Sequence, residues 1–268
     1  MTREESILTR LHEHLDDSLQ KFEQDRMIGL FLQGSQNYGL DYEASDVDTK
    51  LIVVPTFKDI VFNKSPISTT QIRSNNEHID FKDVRLYMQT FRKQNPNFLE
   101  ILFTDFNWVN WTYKDQWDRL VLNREAIARY NPFQAIKAMK GMALEKYHAM
   151  EHQYPSKMDI FRDFGYDPKQ LHHLLRMEEF IQKYINGESY SECLNPSDKE
   201  YLIAVKKGLY NLDQAKRLGE EVVQKIIIIS DNYALQIPNE GNAEVEKMLN
   251  EVQYEIMKRA TEMELKGD

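Results

Sequence analysis

The sequence predicts an α+β fold, in which a small lobe with a mixed β-sheet flanked by helices is followed by an all-helical C-terminal lobe. Two observations support this prediction. Before about residue 125, short apolar runs typical of buried strands alternate with amphipathic helical segments. After that point apolar residues recur only at helical spacing. We therefore expect two domains, residues 1–125 and 126–268.

The elements of the first lobe follow in order. Thr2 and Glu5 have the spacing of a capping box and precede apolar residues at helical spacing, which predicts an N-terminal helix. Three segments are typical of strands, namely 27–33, 46–54 and 77–81. Asp83 is placed to cap the next helix, and Asn95 precedes a proline that favours the start of a shorter one.

The second lobe is predicted to be entirely helical. Its expected helices are at 133–150, 168–186, 198–207, 211–230 and 243–264. Ser197 and Glu200 have the spacing of a further capping box.

Composition limits the kinds of protein this chain can be. Its 268 residues are 41% hydrophobic, which allows a sizeable core. A single cysteine, Cys193, cannot form an internal disulfide, and the N-terminus lacks the layout of a signal peptide, so we expect a cytoplasmic location. The longest strongly apolar run, 222–229, is too short to span a bilayer, so we expect no membrane association. No protein partner is indicated.

Net charge bears on the partners of the chain. The formal charge of −9 argues against an extended nucleic-acid surface, which would need an excess of Lys and Arg. A small basic pocket remains compatible with this charge.

Two acids stand one residue apart where the second strand begins. Alternate side chains of a strand share a face, so Asp46 and Asp48 are expected to project side by side. Two carboxylates this close repel each other unless they bind a cation. Mg²⁺ is a suitable cation because it prefers oxygen ligands, and Mn²⁺ can substitute for it. A solvated strand end is the alternative. Lys50 shares their face, either as an electrostatic brace or as a surface lysine.

Gly34 and Ser35 lie between the first strand and the expected start of a short helix. Backbone N–H groups left free at such a position, together with a hydroxyl, can receive phosphate oxygens. A simple turn is the alternative. Residues 36–45 are enough to return the chain and bring a phosphate cradle beside the carboxylates.

In combination these residues resemble the signature of the DNA polymerase β nucleotidyltransferase superfamily. More narrowly, the chain is similar to predicted nucleotidyltransferases associated with RNA repair, over about residues 30–177. The segments that carry this resemblance are Gly34-Ser35, Tyr38-Gly39, Ser45-Asp46-Val47-Asp48, Asn95-Pro96-Asn97-Phe98-Leu99-Glu100, and Tyr166-Asp167-Pro168-Lys169 with His173 and Arg176. The resemblance makes the first domain the catalytic one.

The resemblance also implies a third carboxylate on a later strand. Asp80 is the best match, Glu77 is its rival, and Asp83 is assigned to helix capping. Asp46 and Asp48 would bridge two divalent ions, while Asp80 would hold the ion beside the acceptor hydroxyl. One departure from the superfamily pattern is Thr49, where an apolar residue is usual.

The implied reaction transfers an NMP group from a nucleoside triphosphate, such as ATP, to an acceptor hydroxyl with release of pyrophosphate. The acceptor could be an RNA or tRNA 3′ end, a protein side chain or a small molecule, and the resemblance favours RNA. The alternative is a nucleotide-binding regulatory module of the same fold without turnover.

A basic stripe is expected on one helix of the second lobe. Lys169, His173 and Arg176 stand at i, i+4 and i+7. Spacing alone favours a solvated helix face, whereas the resemblance favours binding of the triphosphate by these three residues. Lys137 and Lys140 on the preceding helix are weaker candidates for the same role.

Overall fold

The computed structural model describes residues 2–42 and 45–267. Within these residues, the strands are β1 (Met27–Gln33), β2 (Asp48–Val53), β3 (Ser68–Ile72), β4 (His78–Asp83) and β5 (Asn107–Val109). The α-helices are α1 (Arg3–Leu19), α2 (Phe57–Val61), α3 (Val84–Arg92), α4 (Pro96–Leu99), α5 (Lys114–Leu122), α6 (Arg124–Ala128), α7 (Pro132–Glu151), α8 (Met158–Phe164), α9 (Pro168–Ile185), α10 (Tyr190–Leu194), α11 (Lys199–Lys206), α12 (Leu212–Ala234) and α13 (Ala243–Gly267). The predicted α+β class, with a helical region after the sheet, is confirmed.

The described residues form two compact units. The first contains the sheet and consists of residues 2–37, 45–130 and 241–267. The second is helical and consists of residues 38–42 and 131–240. These units differ from a single division of the chain at residue 125, because α13 packs with the first unit and residues 38–42 pack with the second.

The sheet of the first unit is mixed, as predicted. Its strand order is β3-β4-β2-β1-β5, and β2 pairs parallel with β4 while the other neighbours are antiparallel. The register places Gln33 opposite Asp48 and Lys50 opposite Asp80. The chain therefore leaves β1 at Gly34 beside the start of β2, which carries one of the predicted acids.

Helices cover both faces of this sheet. On one face Leu11 of α1 packs in a buried cluster with the inward residues of the strands, Met27, Leu30, Leu51, Val53, Ile79 and Phe81. On the other face Ile28 and Ile52 lie beside side chains of α3, α5 and α13, namely Tyr87, Met88, Trp117 and Ile256. Each fully buried aliphatic side chain contributes about 2 kcal/mol, so the two layers hold the sheet in place.

Local signals explain which elements could be predicted. The capping box of Thr2 and Glu5 is present, and Asp83 caps α3 by accepting a hydrogen bond from Arg85 N–H. The capping box predicted at Ser197 is wrong, because Asp198 is the N-cap of α11 and Ser197 bonds to Glu179 instead. Strands β3 and β5 were not predicted. Strand β3 is polar and largely exposed, and backbone pairing with β4 holds it at the sheet edge.

The second unit is built around α7, α9 and α12, which pack against one another, while α10 and α11 pack on α9. The five predicted helices of this region and of the C-terminus are confirmed as α7, α9, α11, α12 and α13. Within the part of the chain that the structure describes, no helix combines the length and apolar character needed to cross a membrane.

Candidate active site

Parallel pairing of β2 with β4 sets the geometry of the acidic cluster. Because alternate residues share a face, Asp48, Lys50 and Asp80 all lie on the same side of the sheet. Asp80 accepts a hydrogen bond from the Thr70 hydroxyl at 2.6 Å and contacts Lys50 Nζ at 3.2 Å. Asp48 Oδ1 accepts a hydrogen bond from His78 N–H at 2.8 Å. Two of the three predicted acids therefore belong to neighbouring strands on one face.

Lys50 is the electrostatic brace of this cluster and not a surface lysine. Its side chain is 6% exposed, whereas that of Asp80 is 32% exposed. Burial alone would raise the pKa of Asp80, but the Thr70 hydrogen bond and the charge of Lys50 outweigh it and hold that pKa below its usual value. Asp80 is therefore ionised at neutral pH.

The donor chemistry of the site fits a hard divalent cation. Asp46 is exposed and lies two residues before β2, so it is not part of the strand as predicted, and Asp48 and Asp80 add carboxylate oxygens, the ligands that Mg²⁺ prefers. Across residues 2–42 and 45–267, no group of three or more His, Cys, Asp and Glu side chains is close enough to hold a metal ion. A divalent ion at Asp80 would compete with Thr70 and Lys50 for its oxygens.

Glu77, the rival third acid, has a structural role. It is 1% exposed, and its Oε1 accepts a hydrogen bond from Val47 N–H at 2.9 Å and forms an ion pair with Arg10 at 2.5 Å. Its Oε2 contacts three more groups, on His14 at 2.9 Å, Arg73 at 3.3 Å and Asn75 at 3.0 Å. Since Val47 lies between Asp46 and Asp48, Glu77 fixes the peptide that joins the two predicted metal ligands.

Thr49 departs from the superfamily pattern because it completes this buried network. Its hydroxyl lies 2.8 Å from His14 Nδ1, and both residues are fully buried. Burial lowers the pKa of His14, which is therefore neutral, and an ionised Glu77 can only accept, so the proton is on Nε2. Nδ1 then accepts from the Thr49 hydroxyl. Burial alone would raise the pKa of Glu77, but the His14 and Val47 hydrogen bonds and Arg10 keep it lowered.

The Gly34 turn is held by Glu100, a residue of the family motif whose contact with Gly34 was not predicted. Gly34 has a φ of +87°, a conformation that favours glycine, and Ser35 begins a short 3₁₀ helix that ends at Tyr38. The N–H of Gly34 was expected to be free for phosphate, but it donates to the buried Glu100 carboxylate at 3.3 Å. That expectation is wrong for this N–H. The residues around Glu100 in sequence give no indication of this contact. Only its position in the family motif associated Glu100 with the site.

A comparison with known protein families matches most of the chain that carries this site. The model of the RNA repair pathway DNA polymerase beta family matches residues 11–184, which is more than half of the chain. The chain belongs to this family. No curated protein matches the sequence. The matched region includes His14, Thr49 and Glu77 as well as the predicted metal-binding acids, whereas Arg10 comes directly before it.

The basic stripe expected from the same family resemblance lies in the second unit, on α9. Lys169 is exposed, while His173 and Arg176 are half-buried. The Arg176 guanidinium lies 3.8 Å from the ring centroid of Tyr38, whose segment belongs to this unit. Burial, with the charges of His172, Arg176 and Lys169, holds the pKa of His173 well below its usual value, so this imidazole is neutral.

The weaker candidates on α7 have other contacts. Lys140 pairs with Asp231, and Lys137 lies 5.3 Å from the ring centroid of Phe133. Lys146, which was not a predicted site residue, is the α7 lysine whose charge acts on His173.

Proposed function

We propose that this protein is an Mg²⁺-dependent nucleotidyltransferase that moves an NMP group from a nucleoside triphosphate to an acceptor hydroxyl, with release of pyrophosphate. An RNA or tRNA 3′ end is the acceptor that we favour. The observation that carries the proposal is the placement of Asp48 and Asp80 on one face of two adjacent parallel strands, where the Gly34 turn also begins. Membership of a polymerase-β-like family linked to RNA repair supports it.

Each acidic residue has a role in the proposed reaction. Asp46, Asp48 and Asp80 would hold the divalent ions, which supply electrostatic stabilisation of the attacking and leaving oxygens. Asp80 would also orient the acceptor hydroxyl and take its proton. Lys50 keeps Asp80 ionised and fixed in direction by its contact at 3.2 Å.

The remaining predicted residues would bind the nucleotide. The Ser35 hydroxyl would donate to a phosphate oxygen, and Gly34 provides the turn that presents it. Lys169, His173 and Arg176 are proposed as triphosphate ligands because they occupy the matching positions of the family motif. A neutral His173 can donate one hydrogen bond without adding charge.

Incubating the purified protein with labelled nucleoside triphosphates, Mg²⁺ or Mn²⁺, and RNA tests the proposal. We expect label to reach the RNA 3′ end, and we expect Asp48→Asn to reduce the rate at least about a hundredfold. Asp118→Asn is the matched control, since Asp118 pairs with Lys114 on the exposed surface of α5. Absence of transfer to RNA, protein and small-molecule acceptors by the wild-type protein would reject the proposal.

A nucleotide-binding module without turnover is the second candidate. The contacts of Asp80 favour it, because Thr70 and Lys50 already engage both of its oxygens. Such a module would bind nucleoside triphosphate with unchanged affinity in Asp48→Asn and would release no pyrophosphate under any metal condition. Pyrophosphate release measured together with nucleotide binding separates the two candidates.

A further inference from the structure

A second lysine lies beside the acidic cluster on the same face of the sheet. Lys82 follows Asp80 by two residues on β4, opposite Ile52 of β2. Its Nζ lies 4.4 Å from the ring centroid of Phe98, and Lys50 Nζ lies 4.6 Å from the same centroid. One half-buried aromatic ring therefore carries two ammonium groups.

The two lysines over this ring differ in how closely a carboxylate approaches them. Lys50 pairs with Asp80 at 3.2 Å, and the charge of Asp80 also acts on Lys82, but no described carboxylate oxygen lies within 4.0 Å of the half-buried Lys82 ammonium. Lys93, exposed at the end of α3, adds a third positive charge close enough to act on Lys82. A half-buried ammonium with no close carboxylate, in a chain of net charge −9, has capacity to bind an anion.

We propose that Lys82, reinforced by Lys50, binds the last phosphodiester of a single-stranded RNA acceptor. This inference rests on the proposed function, in which Asp80 meets the acceptor hydroxyl. Lys82 lies two residues beyond Asp80 and further from Asp48, a distance of about 7 Å along a strand. The phosphate nearest the terminal hydroxyl of a nucleic acid lies within one nucleotide of it. A protein side chain or an uncharged sugar offers no anion at that position.

Direct RNA binding is the first test and needs no turnover. Fluorescence anisotropy of a short labelled single-stranded RNA is measured on the full chain, without nucleotide, across a range of salt concentrations. We expect Lys82→Met to weaken binding about fivefold and to reduce the slope of log affinity against log salt by about 0.7, the loss of one phosphate contact. Lys82→Arg retains the charge and should restore both values.

Lys21 offers a matched control in the same unit. Its Nζ lies 5.0 Å from the ring centroid of Phe81, so it is also a lysine over a phenylalanine. Because it lies on the α1 side of the sheet, Lys21→Met should leave RNA affinity and the salt slope unchanged. An equal loss in the two variants would show that only general charge matters and would overturn the inference.

Kinetics distinguish the acceptor phosphate from the nucleotide. In Lys82→Met we expect the KM for RNA to rise about fivefold while the KM for nucleoside triphosphate and kcat stay the same. If instead the KM for nucleoside triphosphate rises, Lys82 binds the triphosphate. If the protein transfers the NMP group to protein hydroxyls, and Lys82→Met does not change that rate, the acceptor is a protein. Either result overturns the inference. If the wild-type protein transfers nothing, the proposed function fails, while the binding comparison still tests Lys82.

Discussion

The two faces of the sheet handle charge in opposite ways. Under α1, Glu77 is 1% exposed and both of its carboxylate oxygens are bound by cationic or N–H groups of the protein. On the other face, Asp80 keeps 32% of its side chain exposed, and no described carboxylate oxygen lies within 4.0 Å of the Lys82 ammonium. The two clusters lie close together in sequence, because Thr49 and Lys50 are neighbours on β2 and Glu77 comes directly before β4, which carries Asp80 and Lys82.

This difference separates charges that hold the backbone from charges that remain open to a ligand. Both carboxylate oxygens of Glu77 are already bound, so a further cation would not stabilise this side chain. Removing one of its partners would leave the remaining buried charges uncompensated. A half-open cluster, in which one ammonium has no close carboxylate, still has capacity to bind a ligand. Glu77 therefore belongs to the scaffold, although by sequence it was a candidate for the third metal ligand.

The largest effect that distinguishes the two faces is on stability. Glu77→Gln should lower the free energy of unfolding by about 3 kcal/mol, because Arg10, Arg73 and Val47 N–H lose a buried carboxylate. Asp48→Asn should cost less than about 1 kcal/mol, since Asp48 is one-third exposed. Urea unfolding of both variants measures the contrast. Equal losses would mean that the two faces do not differ as described.

A smaller effect is expected at Thr49. Thr49→Val keeps the shape of the side chain but leaves His14 Nδ1 without its donor, which should cost about 2 kcal/mol. Thr69→Val on the exposed strand β3 is the matched control and should change stability by less than about 0.5 kcal/mol. Thermal and urea unfolding check both. A neutral Thr49→Val would show that the His14 contact contributes nothing.

The smallest effect is a pH dependence that comes from His14. Burial lowers its pKa in the folded protein, so near pH 6 the unfolded chain binds more protons than the folded one. Stability should therefore fall as the pH drops through about 6.5, by at most about 1.4 kcal/mol per pH unit from this residue. His14→Gln should flatten the dependence measured by urea unfolding, and the exposed His12→Gln should not. Identical slopes in all three proteins would contradict the assignment.

Sequence reasoning succeeded where the signal was local. The Asp46-Val47-Asp48 pattern, the apolar run after it and the N-caps depend on near neighbours, and they locate β1, β2 and most of the long helices. Strand β3 escaped prediction because its polar residues become a strand only through pairing with β4. The convergence of Asp46 with Asp48 and Asp80 on metal stays a prediction.

Contacts between distant residues account for what the sequence could not reveal. Thr49 was recognised as unusual, but its partner His14 lies 35 positions away on α1. In sequence, Lys82 lies between the core residue Phe81 and the helix cap Asp83, and neither neighbour indicates a site. Its proximity to Lys50 becomes visible only because both ammonium groups contact the ring of Phe98 on α4. Glu100 likewise meets Gly34 from 66 positions away.

The five residues 38–42 have a consequence for how this protein can change over evolution. They belong to the helical unit, where Leu40 is fully buried and its carbonyl accepts from Lys206, yet they interrupt the chain of the sheet unit. The last helix returns to the sheet unit, where Glu246 pairs with Arg92 at 2.8 Å. Neither unit is a continuous length of polypeptide, so gene recombination at a single junction cannot transplant one without breaking the other.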